Sequence, residues 1–166
     1  MGNIPSCRPQ TYNMWSIQKS IIFLYKVEGE KVNLYLYTEN NICAGLESKL
    51  DQQDRRMPDP PAQAAKRAAK KVGLTLKDNS LLNYYDDIFG NRAYFVALPS
   101  DLILDNKALK VLSLSDLLRL LRAVYQLGSN NVQNVQIDAT TTINSRDAGL
   151  IINCNRNNCF AKSRVV

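Results

Sequence analysis

The chain of 166 residues contains no histidine. This absence excludes a Ser-His-Asp triad, a Cys-His pair and the usual histidine-containing zinc sites. Any acid–base chemistry therefore has to come from Asp, Glu, Lys, Tyr or Cys side chains. The sequence thus rules out a large set of mechanisms before it favours any activity.

Long hydrophobic runs are also absent. The longest, such as residues 20–25, are much shorter than the ~20 residues that cross a bilayer. No basic region followed by an apolar stretch stands at the N-terminus, so no secretory signal peptide is expected. The length and the apolar share of 45% are typical of one globular domain with its own core.

Cysteines are few and scattered, at Cys7, Cys43, Cys154 and Cys159. This pattern does not suit a disulfide-stapled secreted domain, and we expect reduced thiols in a cytoplasmic compartment. Cys154 and Cys159 lack the second ligand pair that a structural zinc site needs. Cys43 has no histidine to activate it as a nucleophile, so a buried or incidental thiol is expected.

Charge is unbalanced, with 21 Lys and Arg against 15 Asp and Glu. The resulting net charge of +6 favours anionic partners, namely phosphates, nucleic acid or acidic lipid headgroups.

A β-hairpin is predicted near the start of the chain, from residues 20–27 and 32–37, which are rich in β-branched and aromatic residues. In the second run Val32, Leu34 and Leu36 alternate with polar and tyrosine side chains, which is typical of a half-buried strand. The polar segment 39–61 is expected to be an irregular loop, and residues 93–98 a further strand.

Two helices are predicted. The first is capped by Asp59, runs through residues 62–72, and stops at Gly73. The second covers residues 117–125, with leucines on one broad stripe, and stops at Gly128.

Three regions are therefore predicted: an extended arm over residues 1–14, a folded domain over 15–127, and an Asn-rich C-terminal extension over 128–166. The apolar runs 132–137 and 150–152 within the extension either add edge strands or belong to a flexible tail.

The first residues match a lipidation signal. N-myristoyltransferases read Met-Gly-x-x-x-Ser/Thr, and Gly2 with Ser6 meets this pattern. Cys7 supplies a second, palmitoylatable site, and two lipid signals are what stable anchoring requires. We expect a lipoprotein on the cytoplasmic face of a membrane in a eukaryotic cell. Its source would be eukaryotic, viral, or a bacterium that injects it as an effector.

The segment 64–74, Ala-Ala-Lys-Arg-Ala-Ala-Lys-Lys-Val-Gly-Leu, resembles the second half of the Nudix box. That family pattern reads Arg-Glu-apolar-x-Glu-Glu-x-Gly-apolar, and its apolar and terminal positions fall on Ala68, Gly73 and Leu74. With the hairpin before it and the strand and helix after it, the resemblance spans residues 17–127. It implies an α+β fold, a Nudix-like α/β/α sandwich with a mixed sheet.

The catalytic positions of the box are replaced. The family's arginine and following glutamate fall on Lys66 and Arg67, and its two metal-ligating glutamates fall on Lys70 and Lys71. Nudix enzymes hold Mg²⁺ with those glutamates, since hard cations need oxygen ligands. Basic side chains repel the metal, so the resemblance implies a pseudoenzyme with neither metal nor other cofactor.

The same basic helix is predicted to bind anions directly. Arg55 and Arg56 in the preceding loop add to the charge of Lys66, Arg67, Lys70 and Lys71. A plain solvated basic surface is the alternative.

The lead hypothesis is a catalytically inactive, membrane-anchored interaction module that binds an unidentified protein or an anionic lipid or nucleotide. One alternative is a phosphohydrolase with Mg²⁺ held by acids outside the box, with Glu47, Asp86 and Asp87 as candidate catalytic residues. A third reading is RNA binding by the basic helix and the tyrosines, which requires strong salt dependence.

Overall fold

The computed structural model describes residues 14–126, 134–156 and 160. The strands are β1 (Lys19–Glu28), β2 (Lys31–Glu39), β3 (Ile42–Ala44), β4 (Leu46–Lys49), β5 (Tyr84–Asp86), β6 (Asn91–Ala97), β7 (Leu109–Ser113), β8 (Asn134–Gln136) and β9 (Thr142–Asn144). The helices are α1 (Pro60–Ala69), α2 (Leu114–Gln126) and α3 (Ser145–Arg156). Short 3₁₀ turns occupy Met14–Ser16, Asp54–Arg56, Lys70–Val72 and Asp78–Leu81.

All nine strands of the described residues belong to one mixed sheet. Its order is β5-β6-β1-β2-β3-β9-β8, with β4 added to β1 and β7 added to β2. The pairs β1–β6 and β3–β9 are parallel, and the other pairs are antiparallel. The α+β class and the mixed sheet agree with the prediction.

Helices cover both faces of this sheet. On one face, Ile22 and Leu24 of β1 pack with the alanines of α1. On the other face, Ile21, Phe23 and Tyr25 pack with residues of α2 and α3. Consecutive residues of β1 therefore pack in two separate cores. This is why the central strand is apolar along nearly its whole length. Among the described residues no helix is long and apolar enough to cross a bilayer.

The predicted hairpin is confirmed as β1 and β2. Leu34 and Leu36 are fully buried on the face of α2 and α3, whereas Tyr35 and Tyr37 pack against the opposite core. The connecting turn contains Gly29 with a positive φ of 64°, a conformation that glycine adopts without strain.

The loop predicted over residues 39–61 is wrong in its first half, where β3 and β4 form. Between them Gly45 marks the point at which the chain leaves β2 and joins β1. A Cβ on Gly45 would lie 2.6 Å from Cγ2 of Ile21 and 2.9 Å from the carbonyl oxygen of Ile22. Only glycine fits this close approach between two backbones.

The C-terminal segment contributes to the core instead of forming a flexible tail where it is described. Val135 of β8 and Ile143 of β9 are buried in the same cluster as β1. The run 150–152, predicted as an edge strand or tail, is helical and lies in α3, with Leu150 and Ile151 buried.

Candidate functional site

Helix α1 and the 3₁₀ turn that follows it carry four of the basic residues predicted to bind anions. Its N-terminus is capped as predicted, since the Asp59 carboxylate accepts the Ala62 N–H at 3.2 Å and prolines occupy the first positions. Five alanines of the helix are buried, and four of them pack in one core with residues of β1 and β4. Because alanine is small, the helix lies close to the sheet, and the buried hydroxyl of Ser20 donates to the carbonyl of Pro61 at 2.7 Å.

Arg67 fixes the preceding loop to this helix. Its two terminal nitrogens donate to the two carboxylate oxygens of Asp54, at 2.8 and 2.6 Å. The same guanidinium donates to the Ser48 hydroxyl at 3.0 Å and to the Lys49 carbonyl at 2.8 Å. Asp51 lies 3.6 Å away. A planar guanidinium suits this arrangement, because its five N–H donors form a rigid fork.

Asp54 is buried and is held ionised by these contacts. The hydrogen bonds from Arg67 lower the pKa of the Asp54 carboxyl, and the Asp51 backbone N–H, at 2.9 Å, adds to the effect. In return, the Asp54 carboxylate raises the pKa of Arg67. The pair is therefore ionised throughout the neutral range.

The lysines of this segment are held differently. Lys66 forms an ion pair with Asp78, whose side chain is 87% exposed, and Lys71 donates to the Glu47 carbonyl. Lys70 is exposed, and the described residues give it no acceptor. Lys66, Arg67 and Lys71 thus have partners outside the helix.

The two arginines of the preceding 3₁₀ turn also differ. Arg55 donates to the carbonyls of Trp15 and Ile17 at 3.3 and 3.4 Å, and to the Gln18 side chain at 3.2 Å. Arg56 is exposed, without an acceptor among the described residues. Of the six residues predicted to bind anions, four therefore also support the local structure.

A groove of about 470 Å³ lies between α1 and this loop. Lys66, Arg67 and Lys70 line its helix side, and Gln53 and Met57 line the other. Asp54 also faces the groove, but Arg67 occupies both of its carboxylate oxygens. Among the other cations that line the groove, Lys66 is paired only with the exposed Asp78, and Lys70 has no partner among the described residues.

The runner-up catalytic acids have other partners. Asp86 is buried and forms a two-pronged pair with Arg92, at 2.7 and 2.9 Å. Asp87 accepts the backbone N–H groups of Phe89 and Asn91 at 2.8 and 3.0 Å, which shapes the β5–β6 turn.

Glu47 lies between two cations, with its Oε2 atom 3.0 Å from Lys19 and 3.2 Å from Arg146. Burial raises the pKa of Glu47, but the hydrogen bonds and charges of Lys19 and Arg146 together outweigh burial, so the net direction is downward.

These acids do not converge, because Glu47 and Asp86 lie on opposite faces of the sheet. Glu47 is the register partner of Ile21, and Asp86 is linked through Arg92 to Ser20. Residues directly opposite in neighbouring strands share a face, whereas Ser20 and Ile21 are consecutive and point to opposite faces. In the described part of the chain no group of three or more Asp, Glu or Cys side chains could hold a metal ion.

The structure describes two of the four cysteines and neither of the predicted lipidation sites. Gly2 and Cys7 lie outside the described residues, and so does Cys159. Cys43 is a free, buried thiol, and burial raises its pKa. Cys154 is disulfide-bonded, so the expectation of four reduced thiols is wrong.

Sequence reasoning missed the acids that hold the basic helix, above all Asp54. A signal for it exists in the loop, where Asp51 and Asp54 bond each other's backbone N–H across a turn, at 2.7 and 2.9 Å. Two aspartates at this spacing are typical of such a local turn. The contact of Asp54 with Arg67, thirteen residues later, leaves no local pattern in the sequence.

No family model and no curated protein matches the chain. Among solved structures, a Nudix hydrolase from M. smegmatis, RenU, is similar with 14% identity and a TM-score of 0.42, covering 61% of this chain and 73% of its own. C. elegans Ap4A hydrolase is similar with 16% identity and a TM-score of 0.43, covering 68% and 91%. Likenesses this distant say nothing about the activity of the chain.

Proposed function

We propose that the chain is a Nudix-like binding module without the metal-assisted hydrolysis of that family, and that it takes an anionic ligand in the groove along α1. The observation that carries the proposal is the character of the helix surface. Lys70 and Lys71 stand at the positions matched to the metal-ligating glutamates, with Lys66 and Arg67 one turn earlier.

The positive charges of this surface repel a divalent cation. An ammonium group ~4 Å from a unit charge interacts by about 4 kcal/mol at an effective dielectric of 20, and a doubly charged ion experiences more. The nearest buried acid, Asp54, is already held by Arg67. A ligand that brings its own negative charge fits the same groove, because its oxygens can accept hydrogen bonds from the lysines.

Lys66 and Lys70 are the residues that we expect to contact the ligand. The pair between Lys66 and the highly exposed Asp78 is a surface ion pair, worth about 0–1 kcal/mol. An incoming phosphate can therefore replace Asp78 at little cost. Lys70 needs no such exchange.

Binding of ADP in the absence of metal, measured by isothermal titration calorimetry, tests this assignment. The Lys66→Gln/Lys70→Gln variant is expected to bind at least about a hundredfold more weakly, since it loses two charged hydrogen bonds that each contribute about 1.5–3 kcal/mol. Lys31→Gln, which removes an exposed lysine at the start of β2, is the matched control and should bind as the parent does. Equal affinity in all three proteins would reject the groove as the site.

Oligonucleotides and acidic vesicles serve as competitors of ADP in the same titration. An oligonucleotide that binds much more tightly than ADP, with a steep salt dependence, would favour the RNA alternative.

Membrane anchoring through Gly2 and Cys7 is a second part of the proposal and rests on the lipidation signal. In eukaryotic cells a Gly2→Ala variant should move from the membrane fraction to the soluble fraction, because one palmitoylatable cysteine without myristate does not meet the two-signal requirement. A variant that stays on membranes would contradict this anchor.

A further inference from the structure

The turn between β5 and β6 presents two large apolar side chains to solvent. Ile88 is 74% exposed and Phe89 is 76% exposed. The turn has a defined shape, because the Asp87 carboxylate accepts two backbone N–H groups and the side-chain amide of Asn91 at 2.8 Å. Gly90 completes it with a φ of 87°. The backbone that carries this apolar tip is therefore held in a defined turn.

Trp15 lies beside this tip. The carbonyl of Gly90 accepts the backbone N–H groups of Gln18 and Lys19, at 2.7 and 3.2 Å. The 3₁₀ turn Met14–Ser16 directly precedes these residues, and its Trp15 side chain is 53% exposed. One end of the sheet thus carries three large apolar groups on two adjacent segments.

Basic residues flank the same end. The guanidinium of Arg55 contacts the carbonyls of Trp15 and Ile17 and the side chain of Gln18. Arg56 follows it and is exposed, as is Lys49 at the end of β4. Protruding apolar and aromatic side chains beside cations are typical of surfaces that insert into the headgroup region of a membrane.

We propose that this end of the molecule, the docking tip formed by Trp15, Ile88 and Phe89 with Arg55 and Arg56, inserts into the surface of an acidic bilayer. Charge complementarity favours an acidic lipid surface as the occupant. The chain before Met14, which carries Gly2 and Cys7, also joins the structure at this tip. The inference deepens the membrane part of the proposed function, but it requires no lipid on the protein.

The opposite end of the sheet supplies a matched control. Ile103 is 83% exposed, in the segment whose Leu102 carbonyl accepts the Lys26 ammonium. Lys26 stands seven residues after Lys19 in β1, roughly 23 Å away at about 3.3 Å per residue. Ile103 is therefore at least as exposed as Ile88 and Phe89 and lies far from them.

Unlipidated full-length protein, produced in bacteria, is mixed with vesicles of phosphatidylcholine with or without phosphatidylserine. Trp15 is the only tryptophan, so its emission reports directly on the tip. We expect a blue shift and co-sedimentation with the phosphatidylserine vesicles. Ile88→Ser/Phe89→Ser should lower partitioning by about tenfold or more, since it removes most of the inserted apolar surface, whereas Ile103→Ser should bind as the parent does.

The proposal is overturned if the parent protein ignores phosphatidylserine vesicles, or if Ile103→Ser loses as much binding as the double variant. It is also overturned if the tip mediates self-association, which sedimentation velocity would show as a dimer that the double variant abolishes. ADP binding by the double variant should be unchanged, so failure of the tip and failure of the α1 groove are distinguishable.

Discussion

Arg67 donates hydrogen bonds from both terminal nitrogens to the Asp54 carboxylate, and thereby connects helix α1 to the loop that precedes it. This contact gives one basic residue of the helix a structural role. Lys66 and Lys70, which line the same groove, are not committed in this way. Under the proposed function, Arg67 has a structural role, and Lys66 and Lys70 bind the ligand.

The first prediction concerns the stability that Arg67 supplies. Arg67→Gln should lower the free energy of unfolding by about 1–3 kcal/mol, because buried Asp54 loses its charged hydrogen bonds. The side chain of Arg67 is itself 43% exposed, which keeps the effect below that of a fully buried pair. Urea unfolding followed by circular dichroism measures it.

Lys70→Gln is the control for this measurement. It removes a positive charge from the same surface, but no described carboxylate or carbonyl loses a hydrogen bond. It should change stability by less than about 0.5 kcal/mol. Equal losses in both variants would show that net charge, and not the contact with Asp54, determines stability.

The second prediction is a pH dependence of the Arg67 effect. Contact with Arg67 holds the pKa of Asp54 below its ordinary value, near ~3.9 in an unfolded chain. A lowered pKa in the folded state contributes stability above the unfolded pKa, and this contribution is lost as pH falls through the folded pKa. The difference between parent and Arg67→Gln should therefore be constant above about pH 5 and shrink below about pH 4.

A stability difference that stays constant down to the acid unfolding transition would contradict this pH dependence. Urea titrations at a series of pH values, with both proteins at the same ionic strength, provide the comparison.

The third prediction concerns Asp86 and separates structure from catalysis. Asp86→Asn should lower the free energy of unfolding by about 3–5 kcal/mol, because Arg92 is left as a buried charge without its ionic partner. Asp116→Asn removes an acid that is 71% exposed and should be nearly neutral. A stable Asp86→Asn protein that has lost a phosphohydrolase activity of the parent would instead support a catalytic carboxylate.

The fourth prediction tests the close approach at Gly45. Gly45→Ala should destabilise the fold by about 1–3 kcal/mol, since the new methyl group would overlap Ile21 and the backbone of Ile22. A Cβ on Gly149 in α3 would meet no described atom within 4 Å apart from its chain neighbours and the backbone of its own helix. Gly149→Ala should therefore stabilise by about 0.5–1 kcal/mol through higher helix propensity. Thermal unfolding of the two variants should shift in opposite directions.

Short sequence patterns correctly predicted the strand β2 and the start of helix α1. The alternation of Val32, Leu34 and Leu36 located a half-buried strand, and Asp59 with the following prolines located the start of α1. Strands β3 and β4 were missed because three or four residues are too few to show a period. Their positions depend on Gly45, whose role is visible only once two strands lie side by side.

The error in α3 has a related cause. A short apolar run such as 150–152 is compatible with a strand or with one face of a helix, and periodicity alone cannot decide between them. The site shows the same limit. The sequence shows that the segment Lys66–Lys71 is basic. Which carboxylate Arg67 binds is determined by the tertiary structure, and so is the placement of Glu47 and Asp86 on opposite faces of the sheet.

The affinity for ADP with and without Mg²⁺, measured alongside phosphate release, tests the central claim most directly. A basic groove competes with the metal for the diphosphate, so Mg²⁺ should leave the affinity unchanged or weaken it, with no phosphate released. Tighter binding in Mg²⁺ together with sustained phosphate release would contradict the account, since it would require carboxylates to hold the metal at this site.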